Sequence, residues 1–216
     1  MIRLAGVLVI CLLAGGTLME AQRRTPPRKS APVPKKTEPA QVVCPEPLGI
    51  GLKTKASYCF VLAGREPAAG VLIKIPAHTG EALLLFDLHN RHTYSEEEVK
   101  AGRGFATHVA VIGALTMKGD LLGRGAVQSE FRKAADLFER IGGGAGPGGS
   151  KAVAPIGREE VVIRVPAAVD QVSLLGELLE STSSAGPESA TPGRPVAIVS
   201  NLRIEYQPAP AKPVRR

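Results

Sequence analysis

Tryptophan is absent from this chain, and phenylalanine and tyrosine are scarce, at five and three residues in 216. Sugar-binding sandwiches offer exposed rings for sugar faces to stack on. Of Tyr58, Tyr94 and Tyr206, only Tyr94 is expected at the surface, so a carbohydrate-binding reading has little to rest on. A long apolar run is also missing. The longest, residues 4–14, falls well short of the roughly 20 residues that a membrane-crossing helix needs, so no transmembrane span is expected in the mature chain. No glycine-flanked serine forms a nucleophile elbow. Residues 142–149 are nearly all glycine, but Ser150 precedes Lys151 and no helix follows, so the phosphate-loop order is lacking. No cofactor is expected.

The formal net charge is +7, and its distribution matters more than its size. Arg23, Arg24, Arg28, Lys29, Lys35 and Lys36 against Glu38 give the segment 22–41 about +5, and the tail from Gln207 carries about +3, which leaves the middle close to neutral. A neutral core with scattered basic ends supports only weak, salt-sensitive attraction to polyanions. No specific nucleic-acid partner is expected.

What is present at the N-terminus is a secretory pattern: Arg3, the short apolar run, then small residues up to Ala21. Residues 1–21 read as a signal peptide, with an uncleaved anchor as the alternative, and the chain as secreted or periplasmic. Removing the leader takes Cys11 and leaves Cys44 and Cys59, an even pair expected to form a disulfide in an oxidising compartment. Closing a loop of about 15 residues stabilises a fold by roughly 3 kcal/mol in the chain-entropy model. Residues 22–41, with Pro26, Pro27, Pro32, Pro34 and Pro39, read as a disordered Pro/Lys-rich linker, and 207–216 as a disordered basic tail.

Between these ends, residues 42–206 alternate short Val/Ile/Leu-rich runs with glycine and proline. That pattern predicts strands at 58–63, 70–75, 81–88, 105–116, 121–127, 160–165, 172–179 and 196–206. In the last, Ile198, Leu202, Ile204 and Tyr206 are expected to share the inward face. Ser95 followed by Glu96, Glu97 and Glu98 predicts a short capped helix, and the spacing of Phe131, Ala134, Ala135, Phe138 and Ile141 a second over 129–141, although Phe131, Ala135, Leu137 and Ile141 also share strand parity. Residues 181–195 read as a mobile loop. The fold class is mainly β: a two-sheet antiparallel sandwich, jelly-roll-like, with one or two short helices.

The densest polar cluster is Asp87, His89, Asn90, Arg91, His92 and Tyr94, directly after the most apolar strand. Asp87, His89, Arg91, His92 and Tyr94 are the candidate ligand-binding residues of an exported, non-enzymatic domain that takes a ligand, an envelope component or a partner protein. The alternatives are a metal-assisted hydrolase with Asp87, His89 and His92 as ligands, and a structural envelope protein held by its N-terminus. Two histidines three apart lack the third ligand of a zinc motif, and His78 and His108 stand in separate segments. No catalytic residue is assigned.

Overall fold

The computed structural model describes residues 34–142 and 151–210. The leader, most of the linker, most of the glycine run and the last six residues lie outside them. Thirteen strands form two antiparallel sheets. In chain order they are β1 (Lys36–Pro39), β2 (Gln41–Val43), β3 (Pro47–Gly51), β4 (Ser57–Leu62), β5 (Val71–Lys74), β6 (His78–Ser95), β7 (Ala106–Thr116), β8 (Leu121–Phe131), β9 (Ile141–Gly142), β10 (Lys151–Val165), β11 (Gln171–Ser183), β12 (Gly186–Ser189) and β13 (Pro195–Pro208). One sheet runs β10-β6-β13-β4-β3-β9, with β1 also on β13; the other runs β2-β5-β11-β7-β8, with β12 also on β11.

The eight runs that the sequence marks as strands are β4, β5, β6, β7, β8, β10, β11 and β13. Numbered one to eight along the chain, they fall in the order 6-3-8-1 in one sheet and 2-7-4-5 in the other, which is jelly-roll topology. Side chains alternate across each strand, and one set fills the space between the sheets. Leu84, Phe86 and Leu88 of β6, Val161 and Ile163 of β10, Ile112 of β7 and Leu174 of β11 all belong to that core.

Four expectations are corrected. Residues 129–141 hold no α-helix: β8 continues to Phe131, a single 3-10 turn spans Ala134–Asp136, and β9 follows. The helical spacing was coincidental, because Phe131 is buried, Ala134 and Ala135 are exposed, and Phe138 packs against the outer face of the first sheet. The Asp136 carboxylate accepts from the Arg132 and Lys133 amides at 2.7 and 2.9 Å, tying a turn where a helix would have begun. The helix at Glu96–Lys100 does form, and the Ser95 hydroxyl accepts from the Glu98 amide at 3.4 Å. At the end of the expected linker, β1 adds to one sheet and β2, which starts at the linker's last residue, adds to the other, and within the expected loop 181–195 a hairpin pairs β11 with β12.

The fourth correction concerns β13. Asn201 has φ of 55° and the register slips between Ser200 and Arg203, so the strand changes faces there. Ala197 and Val199 point inward before the bulge, and Leu202, Ile204 and Tyr206 after it, while Ile198 joins Leu48 and Tyr58 on the outer face. A bulge likewise interrupts β11 beside Gly176, where a Cβ would lie 2.0 Å from Val196 Cγ2. The Val196 side chain occupies the space that any side chain at position 176 would need.

Cys44 and Cys59 are joined, with Cα atoms 5.9 Å apart. The bond ties the segment after β2 to the centre of β4. Among the described residues, no helix is long and apolar enough to cross a membrane.

Candidate functional site

Strand β6 carries the polar cluster, and because it continues without a break to Ser95 it divides that cluster between its two faces. Asp87 and His89 face outward. Asn90 and His92 face into the sandwich.

On the outer face His89 is fully buried. Its Nδ1 donates to the Gly157 carbonyl at 2.7 Å, which fixes the tautomer, and its Nε2 accepts from the Ser200 hydroxyl at 3.0 Å. The rings of Phe138 and Tyr58 cover it at 4.7 and 5.7 Å. Burial pushes the imidazole below its ordinary pKa, against the pull of the Gly157 carbonyl and Asp87. Asp87 is held by Arg158 at 3.0 Å and accepts from the Asn201 amide at 3.4 Å.

Beside this group Glu139, only 6% exposed, accepts from the Lys53 and Thr54 amides at 2.9 and 3.1 Å and from the hydroxyls of Thr54 and Tyr58. Burial pulls the Glu139 carboxyl upward, but those four donors outweigh it and hold the group below its ordinary pKa. Tyr58, buried and facing that carboxylate, is pushed up to about 12. Gly51 leaves room for the carboxylate, since a Cβ there would lie 2.3 Å from Glu139 Oε1. Glu139, Tyr58 and Thr54 thus clamp the segment 132–142 over the outer face.

Inside the sandwich, His92 Nδ1 lies 3.1 Å from His108 Nε2, and His108 Nδ1 lies 3.0 Å from the Ser181 hydroxyl. Phe131 stacks on His92 at 4.0 Å. Burial pushes both imidazoles down to about 4. The Asn90 amide nitrogen donates to Ser129 Oγ at 2.9 Å and to the Val127 carbonyl at 3.3 Å. Burial also lowers the Arg91 pKa, and its Nε has no hydrogen-bond partner among the described residues. Tyr94, expected at the surface, is half-buried with its ring edge-on to Phe131 at 6.0 Å.

Asp87 and His89 are therefore separated from His92 by the strand itself, and no three His, Cys, Asp or Glu side chains among the described residues converge as metal ligands. The polar atoms of the cluster are largely spent on structural bonds. The partners that complete those bonds, Gly157 and Ser200 for His89, Asn201 for Asp87 and His108 for His92, come from other segments of the chain, and single-sequence patterns hold no sign of them.

The open surface lies elsewhere. A groove of about 840 Å³ runs between the arm 37–44 and strands β3 and β4, with Asn201 and Leu202 of β13 in its floor. Val42, Pro47, Ile50, Ala56 and the Cys44–Cys59 bridge line its apolar walls. Along β13, Ser200 pairs with Tyr58 of β4 and Arg203 with Pro39 of β1, so the groove sits over the interval between two strands laid end to end. Of the nine large exposed apolar residues among those described, Val42, Val43, Ile50 and Leu52 fall in this one stretch of chain.

The topology defines an eight-stranded jelly-roll sandwich extended by an N-terminal arm that is pinned through a disulfide. No protein-family model, curated protein or solved structure matches the chain.

Proposed function

We propose that this chain is an exported binding domain, and that the groove beside the Cys44–Cys59 bridge receives an extended, largely aliphatic segment of a partner protein. One observation carries the reading: the groove has an apolar lining that includes the exposed side chains of Val42 and Ile50, and it lies where the pairing along β13 is interrupted. An extended segment can lay alternate side chains into such a trough. Contiguous exposed apolar surface is uncommon on monomers and marks sites of interaction. Export is supported by the joined cysteines, because disulfides persist in oxidising compartments. The buried histidine cluster serves the interior of this reading and makes no contact with the partner.

The test uses the full chain recovered after export and a fluorescein-labelled hexapeptide of alternating valine and threonine. Saturable binding that falls tenfold or more with Ile50→Asp, and is unchanged with Lys118→Ala on the distant β7–β8 turn, is the expected result. Equal binding by wild type and Ile50→Asp, or no binding by wild type, overturns it. Intact-mass measurement on the same material reads whether residues 1–21 have been removed.

A further inference from the structure

Beyond partner binding, the interior of the sandwich contains a titratable crossing between its two layers. His92 stands on β6 in one sheet, and His108 on β7 and Ser181 on β11 in the other. The chain Ser181 Oγ, His108 Nδ1, His108 Nε2, His92 Nδ1 runs through distances of 3.0 and 3.1 Å. Both rings are nearly inaccessible, at 5% and 6% exposure. An N–H···N bond needs one nitrogen without a proton. When both imidazoles are charged, two N–H groups face each other at that spacing and the bond is lost.

The charged groups around the pair deepen this effect. Arg91, from β6, opposes protonation of both rings, and only Glu188, from β12, favours it, for His108 alone. Glu188 is itself 3.4 Å from Arg194. Among the described residues, no carboxylate acts on His92 to favour its charged form. The pair sits a few residues below the point where the chain turns from β6 through the helix Glu96–Lys100 into β7.

We propose that the His92–His108–Ser181 chain is an acid-released latch holding the two sheets together at this end of the sandwich. Above neutrality the latch is closed and the β6–helix–β7 turn is held. As both rings charge, mutual repulsion and repulsion from Arg91 part the sheets there, while the disulfide-pinned edge keeps its structure.

The test is amide hydrogen exchange on the full chain at pH 7.5 and 4.5, after correction for intrinsic rates, beside an NMR titration of the imidazoles. In the wild type, amides of residues 91–108 should lose protection tenfold or more at pH 4.5, while those of β4 and β5 change less than threefold. H92Q/H108Q, which keeps hydrogen-bonding amides without titration, should change less than threefold in both regions. Glu188→Gln should move the wild-type transition to lower pH. Should the double variant fail to fold, the wild-type titration decides. Midpoints well below 5.5 assigned to His92 and His108 support the latch, and midpoints near 6.5 for that pair overturn it. Equal loss of protection in wild type and a folded double variant also overturns it.

Discussion

The two faces of β6 hold two buried polar chains only a strand's thickness apart, and they are built on different principles. The outer one ends in a carboxylate: Glu139 is charged, receives four donors, and organises Tyr58 and Thr54 around that charge. The inner one, through His92, His108 and Ser181, contains no formal charge and depends on each ring staying neutral. A charge with enough donors resists acid because its pKa falls below the ordinary carboxylate range, whereas a neutral pair of bases yields to acid because burial only makes protonation costly. The Glu139 brace on the outer face of the first sheet is therefore acid-tolerant, whereas the neutral histidines buried on either side of β6, His89 outside and the His92–His108 pair inside, are acid-sensitive.

The strongest way to break the comparison is to remove what the inner chain leans on. Phe131→Ala should cost about 4 kcal/mol in chemical denaturation, since the ring is fully buried against His92 and its loss opens a cavity. Glu139→Ala should cost about 3 kcal/mol by the same measurement, as it strands the Tyr58 hydroxyl and two backbone amides beneath the segment 132–142. Near-equal behaviour of Glu139→Ala and wild type would mean that the outer chain is no brace at all.

Acid sharpens the comparison further. The unfolded histidines titrate near 6.5 and the folded pair near 4, so the inner contribution is complete above about pH 6.5, shrinks as pH falls towards 4, and changes no more below that. Its size should be at most about 3 kcal/mol for each ring. Glu139 has its folded value below its unfolded one, so its contribution is intact above the ordinary glutamate range and is lost only as pH drops through the lower folded value. Denaturation midpoints at pH 7.5, 5.5 and 4.5 should fall through the buried histidines, and in H92Q/H108Q the fall should be markedly smaller, with buried His89 carrying the remainder. The smallest expected effect is Tyr58→Phe, about 1 kcal/mol, which leaves Glu139 with its three other donors.

Much of the fold was legible in the sequence because the eight main strands bury aliphatic side chains at regular parity between glycine and proline breaks. Val161, Ile163 and Val165 alternate inward as that parity requires. The segment 129–141 misled because Phe131, Phe138 and Ile141 satisfy two different apolar environments, and a period of 3.6 arose from residues that never share a face. Ile198 misled because the reversal at Asn201 is a backbone event with no apolar signature. The candidate site was legible as a dense polar cluster but not as two clusters, since strand length decides which face each residue takes, and β6 runs on to Ser95 where the apolar pattern ends at Leu88. Asp87, His89, Arg91, His92 and Tyr94, read from the sequence as candidate ligand-binding residues, are buried or half-buried in the fold. Their long-range partners, which explain why buried polar groups are tolerated there, lie 16 to 114 residues away in sequence.

The sulfur bridge has a mechanical consequence. Tension arriving from ahead of Lys36 meets only two short strands, β1 on β13 and β2 on β5, which can be peeled away a few pairs at a time. At Cys44 the peeling stops, because the next load is borne by a covalent link into the middle of β4. A tug on the leading end is thus delivered to the body of the sandwich as a whole, and a reductant turns that fixed stop into a slipping one.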